Sequence, residues 1–356
     1  MIALYRHFPG LRNSLPRLSL GTLPTPVISL DGLGMRLGKR MLFCKRDDIS
    51  GDCYGGNKIR KLEFLLAEAK KRGAVRVITS GAAGSNHALA TALYSSRSGF
   101  RVTLMLFKQE KGPGIGRNLL ADFATGAEMY HDDNYTDHLH HLEIIAGHYT
   151  DVEGIAPCVI PPGGSSPLGT VGFVNAALEL KEQIDRGDLP EPAVVYVAFG
   201  TMGTAAGLLL GIRAAGMNCK VIGVRVVPSV VADEQKFRRL FVKTNALLHS
   251  LDSNFPVCSY NKHHFAIENS FFGEGYGIPT KTGLSAIELF EATEKIDLDP
   301  VYTGKCAAAF CAGAAVDSMK DRPFLYWHTK SSRFPELNNS EHDHRRLPQC
   351  FHRYFE

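Results

Sequence analysis

The eight cysteines of this 356-residue chain form no CxxC pair. Scattered thiols in a chain this long read as reduced core residues, which argues against a disulfide scaffold and predicts a cytoplasmic compartment. Charge of one sign is also scarce: 40 basic against 36 acidic residues leave a formal net charge of +4, with no long basic run. A nucleic-acid partner is therefore not expected. No apolar run approaches membrane-spanning length. The opening Met1-Ile2-Ala3-Leu4-Tyr5-Arg6 lacks the charged-then-apolar order of a secretion signal, so no membrane partner is expected. HExxH and GxGxxG are missing as well, which leaves zinc-protease and dinucleotide readings without support. What remains, 44% hydrophobic and 21% charged residues, is the composition of an ordinary globular protein, and the length suits two domains better than one.

The most informative stretch is Gly55-Gly56-Asn57-Lys58-Ile59-Arg60-Lys61. Paired glycines permit a sharp turn and a close backbone approach. Asn57 can cap the helix that follows, whose apolar stripe is Leu62, Leu65, Leu66 and Ala69. Lys58 then falls in the first helical turn, where the macrodipole disfavours a cation and should lower its pKa. A neutral amine is what Schiff-base chemistry needs, although a solvated surface lysine would carry the same local sequence. A Walker A loop is excluded, because Asn57 separates glycine from lysine and Ile59 stands where Ser or Thr belongs.

Along the chain, a proline-rich arm over residues 1–28 precedes a strand at 41–45. A strand at 75–79 runs into Ser85-Asn86-His87 and a helix ending near Ser98. A strand at 102–107, a helix over 116–125 and a segment at 127–130 continue the alternation, which argues for a parallel sheet with helices on its faces. Ligands bind such sheets at the carboxyl ends of strands. Five histidines lie within 131–150, where His138 and His141 share a helix face; a solvated face explains them, and no metal is expected. Residues 157–172 read as a crossing between domains. A helix over 173–184 and a buried strand at 193–199 lead to the loop Gly200-Thr201-Met202-Gly203-Thr204. That loop can be a phosphate cradle at a helix N-terminus or simply a tight strand-to-helix turn. A strand at 221–227 follows, while 229–270 give no clear pattern. Tyr276 and Tyr302 sit on two turn-rich loops that flank a helix over 282–293. An alanine-rich helix and a strand at 323–328, ending at Thr329, complete the pattern. One lysine, one cradle, a Ser-Asn loop and two tyrosines could surround one flat anionic cofactor, and pyridoxal phosphate fits.

These motifs in this order resemble the D-cysteine desulfhydrase and 1-aminocyclopropane-1-carboxylate deaminase family of tryptophan-synthase-beta-like pyridoxal phosphate enzymes. The resemblance covers roughly residues 20–330. It rests on Lys45-Arg46-Asp47-Asp48, the stretch from Gly55 to Glu63, Ser85-Asn86-His87, Gly200 to Gly207, Gly275-Tyr276-Gly277, Asp299-Pro300-Val301-Tyr302 and His328-Thr329. It implies a fold-type II α/β protein of two domains, each an open, mostly parallel twisted sheet with helices on both faces. The large domain would comprise 1–58 and 158–356, with 334–356 as a surface tail; the small domain would be 59–157, with cofactor between them. A homodimer is implied too. Residue by residue, Lys58 would be the Schiff-base lysine and proton carrier, and Lys61 a phosphate partner. Gly200, Thr201, Met202, Gly203 and Thr204 would hold the phosphate, Asn86 the ring hydroxyl and Thr329 the pyridine nitrogen. Ser85, Asn86 and His87 would hold the substrate carboxylate, and Ser85, Tyr276 and Tyr302 would join Lys58 in catalysis.

Three departures shape the expected function. Thr303 replaces the deaminases' glutamate, which points away from cyclopropane ring opening and toward β-elimination from a small amino acid, D-cysteine first. Gly84 replaces the usual glutamine before Ser-Asn, and Lys330-Ser331 replaces a glycine pair. Other substrates within reach are L-cysteate, D-serine, chlorinated alanine and the cyclopropane amino acid. Outside catalysis, the chain could retain the cofactor and bind an amino acid as a sensor, or use the Gly200 loop for a nucleotide.

Overall fold

The computed structural model describes residues 1–112, 114–316, 322–337 and 343–356. Ten strands are present among them: β1 (Val27–Ser29), β2 (Leu42–Arg46), β3 (Arg76–Ala82), β4 (Arg101–Phe107), β5 (Glu128–Asp132), β6 (Cys158–Ile160), β7 (Val194–Phe199), β8 (Lys220–Arg225), β9 (Phe265–Glu268) and β10 (Phe324–His328). They form two sheets in two compact units.

The first unit comprises Met1–Leu15, Gly21–Lys61 and Ser165–Arg333. Its six strands run in the order β1-β2-β10-β7-β8-β9, parallel except for the antiparallel edge strand β1. The central strands β7 and β10 read Val-Val-Tyr-Val-Ala-Phe and Phe-Leu-Tyr-Trp-His and are almost wholly buried. Continuous apolar runs are what a sheet covered on both faces requires. Leu30, Leu33, Phe290, Phe310 and Tyr326 share the core between this sheet and helices Asp31–Leu37, Lys281–Glu294 and Thr303–Ala314. Helices Pro167–Asp185 and Gly203–Ala214 pack closely because Gly207 and Gly211 leave no room for a side chain. A Cβ on Gly207 would lie 2.4 Å from the Thr170 carbonyl oxygen, and one on Gly211 would lie 2.6 Å from the Ala177 Cβ.

The second unit comprises Pro16–Leu20, Leu62–Gly164 and Phe334–Glu356. Its sheet is fully parallel, in the order β5-β4-β3-β6. Helices Asn86–Arg97 and Ile115–Ala124 cover it with Ala88, Ala92, Leu119 and Leu120 in a core shared with Leu104 and Leu106.

Several sequence expectations change. The crossing expected over 157–172 contains β6, and the helix after it starts at Pro167, not near 173. Ser166 caps that helix by accepting from the Gly169 N–H, and Pro167 supplies a preset φ at the first position. The unplaced stretch 229–270 resolves into helix Glu234–Leu251, capped by Asp233, and edge strand β9. His138 and His141 do not form a bare solvated face. Both rings pair with the Asp132 carboxylate, at 2.9 and 2.8 Å, and His138 is buried. The segment from Phe334 is a correction too. Instead of a surface tail on the larger unit, it puts Leu347 and Phe351 into the core of the second unit. Its polar, histidine-rich composition hid two well-spaced anchors. Residues 338–342 of that stretch lie outside the described residues.

Candidate active site

The lysine loop is built by close backbone approach. A Cβ on Gly55 would sit 2.1 Å from the Asp48 carbonyl oxygen; Gly56 has φ +88°, and a Cβ there would lie 2.8 Å from the Thr329 oxygen. Both glycines are therefore required. The Gly56 N–H donates to the Asp47 carbonyl at 2.7 Å, and the Asn57 N–H donates to the Thr329 carbonyl at 3.1 Å. Ser331, where a glycine was expected, accepts from the Gly55 N–H at 2.6 Å, so this departure adds a stitch to the loop. Lys330 instead turns outward to an ion pair with Asp297. The loop thus hangs between the carboxyl ends of neighbouring strands β2 and β10, the place where open α/β sheets bind ligands.

Lys58 opens helix Lys58–Lys71, and its Nζ donates to Asn57 Oδ1 at 2.7 Å. Its pKa is lowered to about 8, chiefly because the surrounding protein withholds water from the ammonium, while Asp299 pulls the other way. The direction matches the sequence expectation, and its largest cause is desolvation. Below the loop, Arg60 is fully buried. Its guanidinium bonds both Asp47 (2.8 Å) and Glu179 (2.9 Å), and Glu179 also takes Lys45 Nζ at 2.6 Å. Trp327 Nε1 donates to Asp47 at 2.8 Å. The Lys45-Arg46-Asp47-Asp48 run is therefore the floor of the loop.

One turn on, Lys61 is buried and its Nζ donates to Ser165 Oγ at 3.1 Å. Ser165 also accepts from the Gly203 N–H at 3.2 Å and donates to Thr201 Oγ1 at 2.8 Å. Asn57 Nδ2 donates to Thr204 Oγ1 at 3.0 Å. Met202 holds φ +68°, which turns the chain into helix Gly203–Ala214, and a Cβ on Gly203 would lie 2.9 Å from Lys61 Nζ. An ammonium, two hydroxyls and helix N-terminal amides converge at a place kept free of side chain by Gly203, which is the donor set a phosphate takes. Burial, with the nearby Lys58 charge, drives the Lys61 pKa well down; an anion beside it would oppose both effects. This geometry is compatible with the cradle reading of Gly200–Thr204. Ser165 was missed in the sequence, where its only signal is a hydroxyl beside the Ser166 cap.

On the same unit the Tyr276 and Tyr302 hydroxyls meet at 2.5 Å, with ring centroids 6.1 Å apart at 67°. Asp299 shapes the second tyrosine's loop by accepting the N–H groups of Val301 (2.9 Å) and Tyr302 (2.6 Å) and the Thr303 hydroxyl (2.6 Å). Desolvation raises the pKa of Tyr276 and raises that of Tyr302 further, so both phenols are protonated at neutral pH. Thr329 follows β10 directly, nearly buried.

Ser85, Asn86 and His87 belong to the second unit. Ser85 caps helix Asn86–Arg97, its Oγ accepting from the Ala88 N–H at 3.2 Å. Asn86 Oδ1 accepts from Asn118 at 2.9 Å. The His87 ring is buried against Thr79, 3.0 Å from Nε2. A Cβ on Gly84 would lie 2.8 Å from the Ile115 side chain, so a glutamine there would require Ile115 to shift.

A parallel α/β frame that presents a desolvated lysine and a donor set suited to an anion is compatible with one class: enzymes that hold a phosphorylated carbonyl cofactor. The chain belongs to the pyridoxal-phosphate dependent enzyme family, which it matches over residues 18–329. It is 38% identical over 321 residues to a protein of Klebsiella pneumoniae subsp. pneumoniae named D-cysteine desulfhydrase, covering 88% of this chain and 93% of that one. A Salmonella newport protein of the same name is 37% identical over the same shares. A solved structure described as an ACC deaminase homologue superposes with TM-score 0.78 at 33% identity, covering 91% of this chain and 94% of its own. The fold is that of the fold-type II enzymes, and the cofactor is pyridoxal phosphate. No helix among the described residues is long and apolar enough to cross a membrane.

Proposed function

We propose that this enzyme catalyses β-elimination from D-cysteine, with water consumed and pyruvate, ammonia and sulfide released. The observation that carries the choice is Thr303: it is buried and its hydroxyl is committed to Asp299, so a hydroxyl stands where ring-opening deaminases carry a glutamate after this tyrosine. The names borne by the 37–38% identical relatives support the same choice.

When bound, pyridoxal phosphate supplies the electron sink that lets the substrate Cα–H bond break. The Lys61–Ser165–Gly203 cradle, with Gly200, Thr201, Met202 and Thr204, takes its phosphate, and Thr329 takes its ring nitrogen. Lys58 Nζ removes the Cα proton, a role its lowered pKa suits. The Tyr276–Tyr302 pair, kept protonated by burial, hydrogen-bonds the substrate and donates toward the departing sulfur. Asn86 holds the cofactor ring hydroxyl, and Ser85 with the Asn86 and His87 amides holds the carboxylate. We further propose a homodimer in the cytoplasm; the free state of all eight cysteines supports a reducing compartment.

The test is a side-by-side assay of sulfide and pyruvate release from D-cysteine and L-cysteine, with D-serine and the cyclopropane amino acid alongside. D-Cysteine should lead. A faster release of 2-oxobutyrate from the cyclopropane substrate would overturn the reading.

The tyrosine pair gives a separate prediction. Tyr276→Phe keeps the ring and removes one partner of the 2.5 Å contact. Turnover should fall by about 10²-fold with cofactor content unchanged. Full activity in both Tyr276→Phe and Tyr302→Phe would reduce the tyrosines to walls.

A further inference from the structure

We propose that the C-terminal segment of this chain positions the carboxylate-binding loop, with Tyr354 and Gln109 as the positioning residues. The proposal rests on the assignment of Ser85–His87 to the substrate carboxylate.

The contacts all lie within the second unit. Tyr354 Oη accepts from the Gln109 N–H at 3.3 Å and lies 3.0 Å from His131 Nε2. Burial and the neighbouring Arg353 charge lower the His131 pKa, which favours a neutral ring sharing one hydrogen bond with the phenol. Gln109 in turn accepts, through Oε1, from the Gly84 N–H at 3.1 Å. Gly84 immediately precedes Ser85 and Asn86. On the other side of the loop, Asn118 Nδ2 reaches both the Gly84 carbonyl and Asn86 Oδ1, each at 2.9 Å. The helix that carries Asn118 is also held by the C-terminal segment. Phe355 packs on Gly116, where a Cβ would lie 2.8 Å from the phenyl ring, and Arg117 lies 4.1 Å over the Phe334 ring.

The backbone of Gly84 is thus fixed at its N–H and its carbonyl by two side chains. The strand-end stretch bearing one and the helix bearing the other are both covered by the chain terminus. Leu347 and Phe351, buried in the unit's core, anchor that terminus. A loop that must present amides to a carboxylate gains affinity from being held in place before the substrate arrives. Residues 334–356 lie beyond the span matched by the family.

The test uses the full-length holoenzyme. Tyr354→Phe keeps the half-buried ring and removes the hydroxyl; Gln109→Met keeps the length and removes the acceptor for Gly84. Each should raise KM for D-cysteine by about two- to ten-fold, the range one hydrogen bond supplies, with kcat and cofactor content within about two-fold of the parent. Amide hydrogen exchange across Gly84–Asn86 should accelerate in both variants, a readout independent of turnover. Ser85→Ala serves as the reference for the underlying assignment. If it leaves KM unchanged, the carboxylate assignment fails and the proposal with it. If Ser85→Ala raises KM while Tyr354→Phe and Gln109→Met alter neither KM nor exchange, the assignment stands and the positioning role is overturned. Faster exchange without a KM change, or a loss confined to kcat, overturns it as well.

Discussion

Lys58→Ala is expected to abolish turnover, by at least about 10³-fold, and to leave a protein that binds pyridoxal phosphate without a covalent bond. Borohydride treatment of the parent, followed by peptide mapping, should place the reduced cofactor on Lys58, and the variant should carry none. The cofactor-free protein gives a second readout. With its pKa lowered to about 8, Lys58 is neutral in about a tenth of molecules at pH 7, against fewer than about one in 1,000 for an ordinary lysine. Since the neutral amine is the nucleophile, trapping of a simple aldehyde should rise with pH and reach its midpoint near 8. A midpoint near 10 would show that the amine is solvated, and mapping of the adduct to Lys61 would transfer the role to that residue.

Glu179→Ala is expected to be the most destabilising single change in the first unit. The carboxylate is nearly buried and holds both Arg60 and Lys45, so its removal leaves Asp47 as the one carboxylate of the cluster beside two buried cations. Breaking a buried pair by removing one partner costs about 3–5 kcal/mol. Urea titration should show that loss, and Asp47→Asn, which leaves the shape and weakens one arm, should show less. The pH dependence has a definite sign. Desolvation alone would raise the Glu179 pKa, but Arg60 and Lys45 overcome it and bring it down to about 2. A carboxylate depressed on folding contributes stability that is fully present above its unfolded value near 4.5 and is lost as pH falls toward 2. The parent should therefore lose stability through that acid window, and Glu179→Ala should lose less. An unchanged acid profile in the variant would mean that the cluster does not hold the charge described.

Much of the site could be read without coordinates because its residues are set by local rules. Gly55 and Gly56 are needed where backbone touches backbone, and a hydrophobic strand followed by glycines and a helix marks the cradle at Gly200–Thr204. The tyrosines declared themselves by standing on turn-rich loops. Less legible was anything that depends on a partner distant in sequence. Ser165 joins the cradle from a loop 104 residues after Lys61. His87 has the same local setting as Asn86, yet its ring turns inward to Thr79. The tail from Phe334 carries too few apolar residues to signal a core role, and only the packing of Leu347 and Phe351 reveals it.

By itself, then, the sequence indicated the parallel α/β class and the two glycine loops, from short-range periodicity and φ requirements, while the expected roles of the lysine and of pyridoxal phosphate rested on motifs in an order that resembles a known family. Tertiary structure alone decided why the Lys58 pKa falls, which hydroxyl completes the phosphate cradle, and what becomes of the four buried charges of Lys45, Asp47, Arg60 and Glu179. Desolvation and long-range pairing depend on which atoms surround a group in space, and no spacing along the chain encodes that.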